Sequence, residues 1–528
     1  MRISLSFLMC GGACLAISAA LPLEAGIVPK GPAFVVNTET VSSSFWPGYL
    51  GSAPRAAVDA RERFIVVWAT AYGSHVKVRP YDRQKRGARP FKVTTSSLAE
   101  AEYQPDVAVD GSGRSVIVWT TGSEVWGRRL MRKGPLDEPF RIDSSTSHFL
   151  RSPSVSASSS GAFVVVWNET LGDLEGNQVR ARRFDETGNP VESDFLVSRI
   201  GRGGDSTEVG MNASGGFVVV YVKRGVDGYG HIFASVFDDH GALVRPEFQV
   251  TAEVTSDQFS PGMAMDAAGN FVVVWAAAID QGLLRKVFAK RFDASGSPLG
   301  SEFLVDEESS GYFVSPAVSM GTAGEFVVAW NSGSDYGAIQ VRSFDASGRP
   351  TGQSSTVVPE DPHNRSIRPE VAMRPSGDFV VLWSSFSSSL VRSRVRVTTS
   401  IHGREFNGRA PEVTDPAQLG TLDCSDPLNV QPTFSWLGGG YDRFRVILSW
   451  EESFREGARI SSGEPLLTTT SWTPDPEAWW RVCEVTMHQP REAPSVHVRI
   501  VGVETDSGSE NSERTQLGPT TSYYVLTE

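Results

Sequence analysis

The sequence predicts an all-β fold: a seven-bladed β-propeller closed by an N-terminal strand, followed by a β-sandwich. Three observations carry this prediction. A string of the FVVVW type recurs seven times, ending at Trp68, Trp119, Trp167, Tyr221, Trp275, Trp330 and Trp383, roughly fifty residues apart. Fourteen residues before each closing aromatic stands proline in six copies, with Thr207 the exception, and six residues before it stands glycine in six copies. An orphan string, AFVV from Ala33, precedes the first unit, and the last unit lacks the strand that this orphan resembles.

Arg2 is followed by an apolar run from Ile3 to Ala20, with small residues at Ala20 and Ala25. A short charged start, an apolar stretch and small residues at its end describe a secretory leader, so residues 1–25 are expected to be removed on export. A lipid anchor at Cys14 is disfavoured, because Gly11 stands where a leucine usually stands. No later apolar run approaches the roughly 20 residues needed to cross a bilayer. The propeller is expected over 31–400. Within each unit a first strand follows the proline and a tight Asp-x-x-Gly turn leads to FVVVW. A variable loop then leads to a third strand ending in a phrase such as AKRFD, and a second Asp-x-x-Gly turn leads to a fourth, such as FLV at Phe303. FVVVW is apolar on both faces, so its sheet must be covered on both sides. Short antiparallel strands, two-sided burial and this period describe a propeller blade. The orphan AFVV completes the last blade and removes two open sheet edges.

The units SPGMAMDAAGNFVVVW from Ser260 and AKRFDASGSPLGSEFLV from Ala289 resemble a type of secreted bacterial repeat protein, over about residues 31–400. That family is largely uncharacterised, so the resemblance implies an extracellular propeller and little chemistry.

After a linker at 401–410 the period is lost. Strings ending at Trp436, Trp450 and Trp472, then VHVRIVGVE from Val496 and SYYVL from Ser522, alternate as strands of a sandwich over 411–528. FSW at Trp436 and VRIVGVETDSGSENSE resemble the second strand, and the sixth strand with its loop, of a fibronectin type III domain. Such modules space or bind. Cys424 and Cys483 are the two cysteines outside the leader, and export makes a disulfide between them the expected state.

Composition narrows the function. Over 528 residues the hydrophobic share is 40% and the net charge −12, which excludes global disorder and argues against nucleic-acid binding. No HExxH, CxxC, phosphate-binding glycine loop or GxSxG occurs, and no cofactor or metal is expected. Gly204-Asp205-Ser206 is read as part of a blade-joining loop rather than a nucleophile block. The recurring Asp59, Asp110, Asn212 and Asp266 are assigned to hydrogen bonds within their own turns rather than to calcium. A recurring base in the third strand (Arg79, Arg128, Arg182, Lys290, Arg342) is expected to make an ion pair between blades. The loops from second to third strand and from blade to blade vary, and a rigid scaffold commonly carries ligand residues on such loops. Phe45, Trp46, Tyr49, His148 and Phe149, which do not recur, are the candidate ligand-binding residues, with an extracellular protein or glycan as partner. The expected function is a secreted, non-enzymatic binding or adhesion protein. The alternatives are an extracellular hydrolase or lyase at the channel mouth, which would need carboxylates converging there, and a structural component of the envelope.

Overall fold

A computed structural model describes residues 27–42, 53–70, 75–94, 103–131, 134–145, 149–171, 176–201, 206–252, 256–279, 284–305, 314–333, 337–361, 365–391 and 394–408, together with the strands of the C-terminal part. The leader, Phe45, Trp46, Tyr49, His148, Cys424 and Cys483 lie outside the described residues. No helix among the described residues is long and apolar enough to cross a membrane.

Seven antiparallel sheets of four or five strands follow one another along residues 25–410. In blade 3, for example, the strands are Phe149–Ala157, Phe163–Thr170, Asn177–Phe184 and Phe195–Gly201, paired in sequence order. The second strand of each blade is the FVVVW string, and its apolar residues on both faces are buried, as Val164, Val165, Val166 and Trp167 are at 0% exposure. One face packs on the blade before and the other on the blade after, so each core cluster draws on two consecutive blades. The closing aromatics fill these seams: Trp68, Trp119, Trp167, Tyr221, Trp275 and Trp330 are fully buried.

The recurring glycine is explained by its backbone. Gly113, Gly161, Gly215, Gly269, Gly324 and Gly377 all have φ between 85° and 102°, a region that a side chain disfavours. In each turn the glycine N–H donates to the aspartate-position carbonyl, as Gly113 does to Asp110 at 3.0 Å. The first blade, which lacks the glycine, places Glu62 there with φ 63°. The carboxylates serve these turns: Asp110 Oδ1 accepts from the N–H groups of Ser112 and Arg114, both at 2.9 Å. Asp59, Asn212 and Asp266 do the same in their own turns.

The last blade is built from both ends of the propeller. Its first three strands are Arg365–Met373, Phe379–Val391 and Arg394–Asn407, and its fourth is Phe34–Ser42, which contains the orphan string. Phe34 pairs with Gly403 and Ser42 with Arg396. The third strand runs further than the sequence suggests, so residues 401–407, expected in a linker, belong to the blade. Length explains this: Val28–Pro29 adds a second partner at Phe406 and Asn407 and carries the pairing on.

The recurring base is placed between blades, but its partner is a correction to the expected ion pair. Arg128 donates to the Val93 carbonyl at 2.6 Å, Arg182 to Ile142 at 2.6 Å, Lys290 to Val250 at 2.9 Å, and Arg342 to Val305 at 2.8 Å. Arg79 reaches Val36 at 2.8 Å, which is how blade 1 grips the N-terminal strand. Each acceptor is a main-chain carbonyl of the preceding blade's fourth strand: Val93, Ile142, Val250 and Val305 directly follow its last strand residue, and Val36 lies at the register break between Val35 and Asn37.

Residues 411–528 form a separate unit, with one sheet of three strands and one of five. FSW lies in Phe434–Leu437, between Glu412–Asp415 and Ser471–Trp472. Ser495–Thr505 pairs with Glu513–Leu526 on one side and Arg443–Ser449 on the other.

Candidate functional site at the channel mouth

The seven inner strands line a central channel. Near the mouth each carries the recurring proline, Thr207 in blade 4, and the residue after it faces the channel axis. Around the ring these residues are Arg55, Asp106, Ser154, Glu208, Gly262, Ala317 and Glu370, from blades 1 to 7 in order. The proline repeats; the residue after it does not.

Arg55 reaches across the channel. Its Nη2 lies 2.6 Å from Glu208 Oε1 of blade 4, Nη1 lies 3.5 Å from Glu370 Oε2 of blade 7, and Nε lies 3.7 Å from Asp106 Oδ1 of blade 2. One guanidinium therefore faces three carboxylates in a constriction that leaves the three acids 12 to 18% exposed. Burial pushes the Glu370 carboxyl up to about 8, with Asp106 and Glu208 adding to the rise and Arg55 opposing it. Burial likewise raises Glu208, against the pull of Arg55, and Glu208 above all raises Arg55 well above its ordinary value.

Part of this ring is structural. Inner strands of neighbouring blades share no ladder, so N–H groups that point at a neighbour need side-chain acceptors. Asp106 Oδ2 accepts from Val155 N–H at 2.8 Å, and Ser154 Oγ accepts from Val209 N–H at 3.3 Å while donating to Glu208 Oε2 at 3.3 Å. Gly262 and Ala317 supply no such acceptor.

The ring floors a cavity of about 890 Å³ that opens towards the loops joining blades, and it roofs a second of about 350 Å³ deeper in the channel. Four residues at the mouth have a left-handed backbone without being glycine: Gln104 (φ 48°), Ser152 (49°), Ser260 (51°) and Arg368 (53°). Each immediately precedes the blade's proline, and each sits at a break in strand register. Proline lacks the N–H for a regular ladder, so the inner strand bulges there, and the residue before it takes up the strain. Gln104 Oε1 accepts from Ser152 N–H at 2.8 Å, tying two bulges together along the rim. Tyr103 and Phe149 stand on this rim, 44% and 57% exposed.

Of the five candidate ligand residues, Phe149 is the one among the described residues, and it lines the mouth cavity. Ser206, the serine of Gly204-Asp205-Ser206, lines it too, at the start of blade 4. Sequence reasoning missed the ring. Aligning the copies on their proline would have exposed it, since the next position alone among inner-strand positions carries three acids and an arginine. Among the described residues a three-member grouping with metal-ligand chemistry is Asp238, Asp239 and His240, at an exposed turn. There Asp238 Oδ1 already accepts from His240 and Ala242 N–H.

No protein-family model matches the chain. No curated protein matches it in sequence either. Solved structures similar in shape include a protein of unknown function from Dyadobacter fermentans, at 11% identity and TM-score 0.39, over 70% of this chain and 98% of that one. A PL25 ulvan lyase bound to a saccharide is 11% identical with TM-score 0.43, over 66% and 94%. The propeller domain of the Trilobed protease from Pyrococcus furiosus, described as an open velcro topology, is 11% identical with TM-score 0.37, over 66% and 92%. Likenesses at this level carry no argument about activity, and the blade count here rests on the sheet topology.

Proposed function

We propose that this chain is an exported binding protein whose propeller takes a small polar ligand, or the end of an extracellular glycan or protein chain, into the cavity at the channel mouth. One observation supports this reading above others: the ring position varies from blade to blade while its neighbours repeat. The blade accounts for the proline before it and the apolar strand after it. Blade architecture gives no reason for an arginine that faces three acids across a channel. The cavity of about 890 Å³ falls within the range of roughly 300–1,000 Å³ usual for ligand pockets. Export rests on the leader-like residues 1–25. Kinship with the secreted repeat proteins rests on the FVVVW units, and a fibronectin type III-like C-terminal module rests on the FSW and VRIVGVE strings. That module serves as a spacer or second contact.

The test begins with an array of glycans and envelope proteins, followed by calorimetry on the ligand found. Phe149→Ala should weaken binding by about 2 kcal/mol, roughly 30-fold, as loss of a central anchor does. Ser295→Ala, on the tight-turn face, should leave it unchanged. Equal affinity of both variants would move the site elsewhere.

A second reading, an extracellular hydrolase or lyase, is favoured by the convergence of Asp106, Glu208 and Glu370. A carboxyl held near 8 retains a proton to donate at neutral pH. Release of new reducing ends from a polysaccharide panel, abolished by Glu370→Gln, would establish it.

A further inference from the structure

We propose that the mouth cavity receives a carboxylated saccharide, its carboxylate held by Arg368 and its hydroxyls by the serines that occupy the same repeat position in blades 4 to 6. The proposal rests on the reading of the mouth as a ligand site and names the chemistry of what enters it.

The row of residues just before the inner-strand proline divides the mouth in two. In blades 3 to 6 it reads Ser152, Ser206, Ser260 and Ser315, and in blade 7 it reads Arg368. Blade 4 keeps its serine although Thr207 replaces the proline there, so the hydroxyl does not merely accompany the proline. All five residues line the mouth cavity and none lines the deeper one. The threonines of the mouth are used by the fold: Thr120 and Thr207 donate to the carbonyls of Leu150 and Ser152, both at 2.8 Å. Ser315 is held through its main chain, whose N–H donates to Asn331 Oδ1 at 2.8 Å. The hydroxyls of Ser206, Ser260 and Ser315 have no hydrogen-bond partner among the described residues. They form a half-buried polar wall over three consecutive blades.

The opposite side is cationic. Among the described residues the mouth is lined by Arg55, Arg151 and Arg368, from blades 1, 3 and 7, against Glu208 and Glu370. Asp106 lines the deeper cavity instead. The mouth is therefore positive even with both glutamates ionised, and more so near neutrality, where burial keeps a proton on Glu370. It is so in a chain of net charge −12. Arg55 answers an acid of its own ring, Glu208, at 2.6 Å. Arg368 stands one residue nearer the mouth than that ring. Burial lowers Arg368, whereas Glu208 above all raises Arg55. An incoming carboxylate offsets that loss of hydration, and its two oxygens match the planar fork of a guanidinium.

Hydroxyls donate and accept at once, as those of a sugar ring do, so the serine wall suits a polyol better than a peptide end. Tyr103 and Phe149, exposed at the rim, offer apolar faces to a following sugar.

The experiment is calorimetry at neutral pH on the full chain. The probes are D-galacturonate and D-glucuronate, each against its neutral parent, D-galactose or D-glucose, with acetate as the bare carboxylate. One uronate should saturate a single site at least roughly tenfold more tightly than its parent, as a hydrogen bond to a charged group does. Arg368→Ser should erase that advantage and leave the neutral sugar unchanged. Serine already holds this backbone in blades 3 and 5, at φ 49° and 51°, so the substitution suits the fold. Arg368→Lys, which keeps the charge without the fork, should retain part of the advantage. Ser315→Ala should weaken uronate and parent alike, by roughly two- to tenfold. Circular dichroism confirms that each variant folds. Equal affinity for uronate and parent, or an advantage that survives Arg368→Ser, would overturn the carboxylate contact. Acetate bound as tightly as the uronate would overturn the saccharide. Saturation by neither uronate, in a protein whose Phe149→Ala variant loses another ligand, would overturn the proposal while leaving the mouth as a site. Uronate binding that ignores Phe149→Ala and Arg368→Ser alike would overturn the mouth itself.

Discussion

Glu370 shows what a single carboxyl can cost a fold. Its proton is held to about 8 in the native state, against about 4.3 in an unfolded chain, so the folded protein binds the extra proton between those values. Stability therefore falls as pH rises through that window and is least above it. Glu370→Gln keeps the shape of the side chain and an oxygen for the Ala56 N–H that Glu370 accepts. The variant should melt with wild type at pH 5 and above it at pH 8.5, by about 1–3 kcal/mol of added stability. Thermal melts at the two pH values check this; a variant no more stable at pH 8.5 would mean that the ring is already balanced. Residues at this scale were only partly legible in the sequence. The glycine of each hairpin could be read, because φ near 90° demands it locally. Arg55 and Glu370 could not be paired in advance: they lie 315 residues apart, and only closure of the ring brings them together.

At the scale of the element, the seams between blades combine a generic apolar packing with one directed contact. The cation in the third strand grips the previous blade and lies over a ring of its own strand, as Arg182 does over Phe184 at 5.7 Å. Its recurrence was visible in the sequence, but its partner was not, because a main-chain carbonyl has no residue-type signature. The partner matters for behaviour: a contact with a carbonyl should be far less sensitive to salt than one between exposed charges. Arg182→Met should lower stability by about 2 kcal/mol, and by the same amount at low and high ionic strength. A loss that vanishes in salt would restore the ion pair. Blade 4 departs from this plan. Ser235 replaces the cation, and Tyr221 replaces tryptophan; the phenol donates to Glu247 at 2.8 Å, a carboxylate that Ser198 of blade 3 also contacts. Glu247, although partly buried, is held below its usual range by these donors and by Lys223. The seam between blades 3 and 4 is thus joined by a polar network where the others use a cation.

At the scale of the molecule, closure depends on a short N-terminal strand and a few charges around it. Lys30 meets Asp378 at 2.5 Å, while Glu405, nearly buried, accepts from Arg374 at 2.6 Å and pairs with Lys85 of blade 1 at 3.0 Å. Arg374 stands at the turn position that Asp59, Asp110 and Asp266 hold in their blades, a substitution that the buried Glu405 explains. The seven-fold period and the orphan AFVV made this closure legible, because a strand without a blade and a blade without a strand answer each other. The extent of the last blade was less legible, since its third strand runs past the repeat into residues with no counterpart elsewhere. Deleting residues 31–38 should lower the melting temperature of the whole propeller and broaden its transition, because it bares one blade edge and removes the seat of Arg79. An unchanged melting temperature would show that the other six seams suffice.

The two-ended last blade also sets an order of events in time. Blades 1 to 6 each gather neighbouring stretches of chain and can form as those stretches emerge. The contact between Lys30 and Asp378 joins residues 348 apart, so the N-terminal strand must wait, unpaired, until nearly the entire propeller has been made. Contacts of such separation are slow to form, and they come last. During that interval the newborn molecule has an exposed strand at one end and a vacant edge at the other, which a second newborn copy could fill as readily as the chain's own beginning. The same arrangement that abolishes edges in the finished ring makes its assembly sensitive to crowding by its own kind.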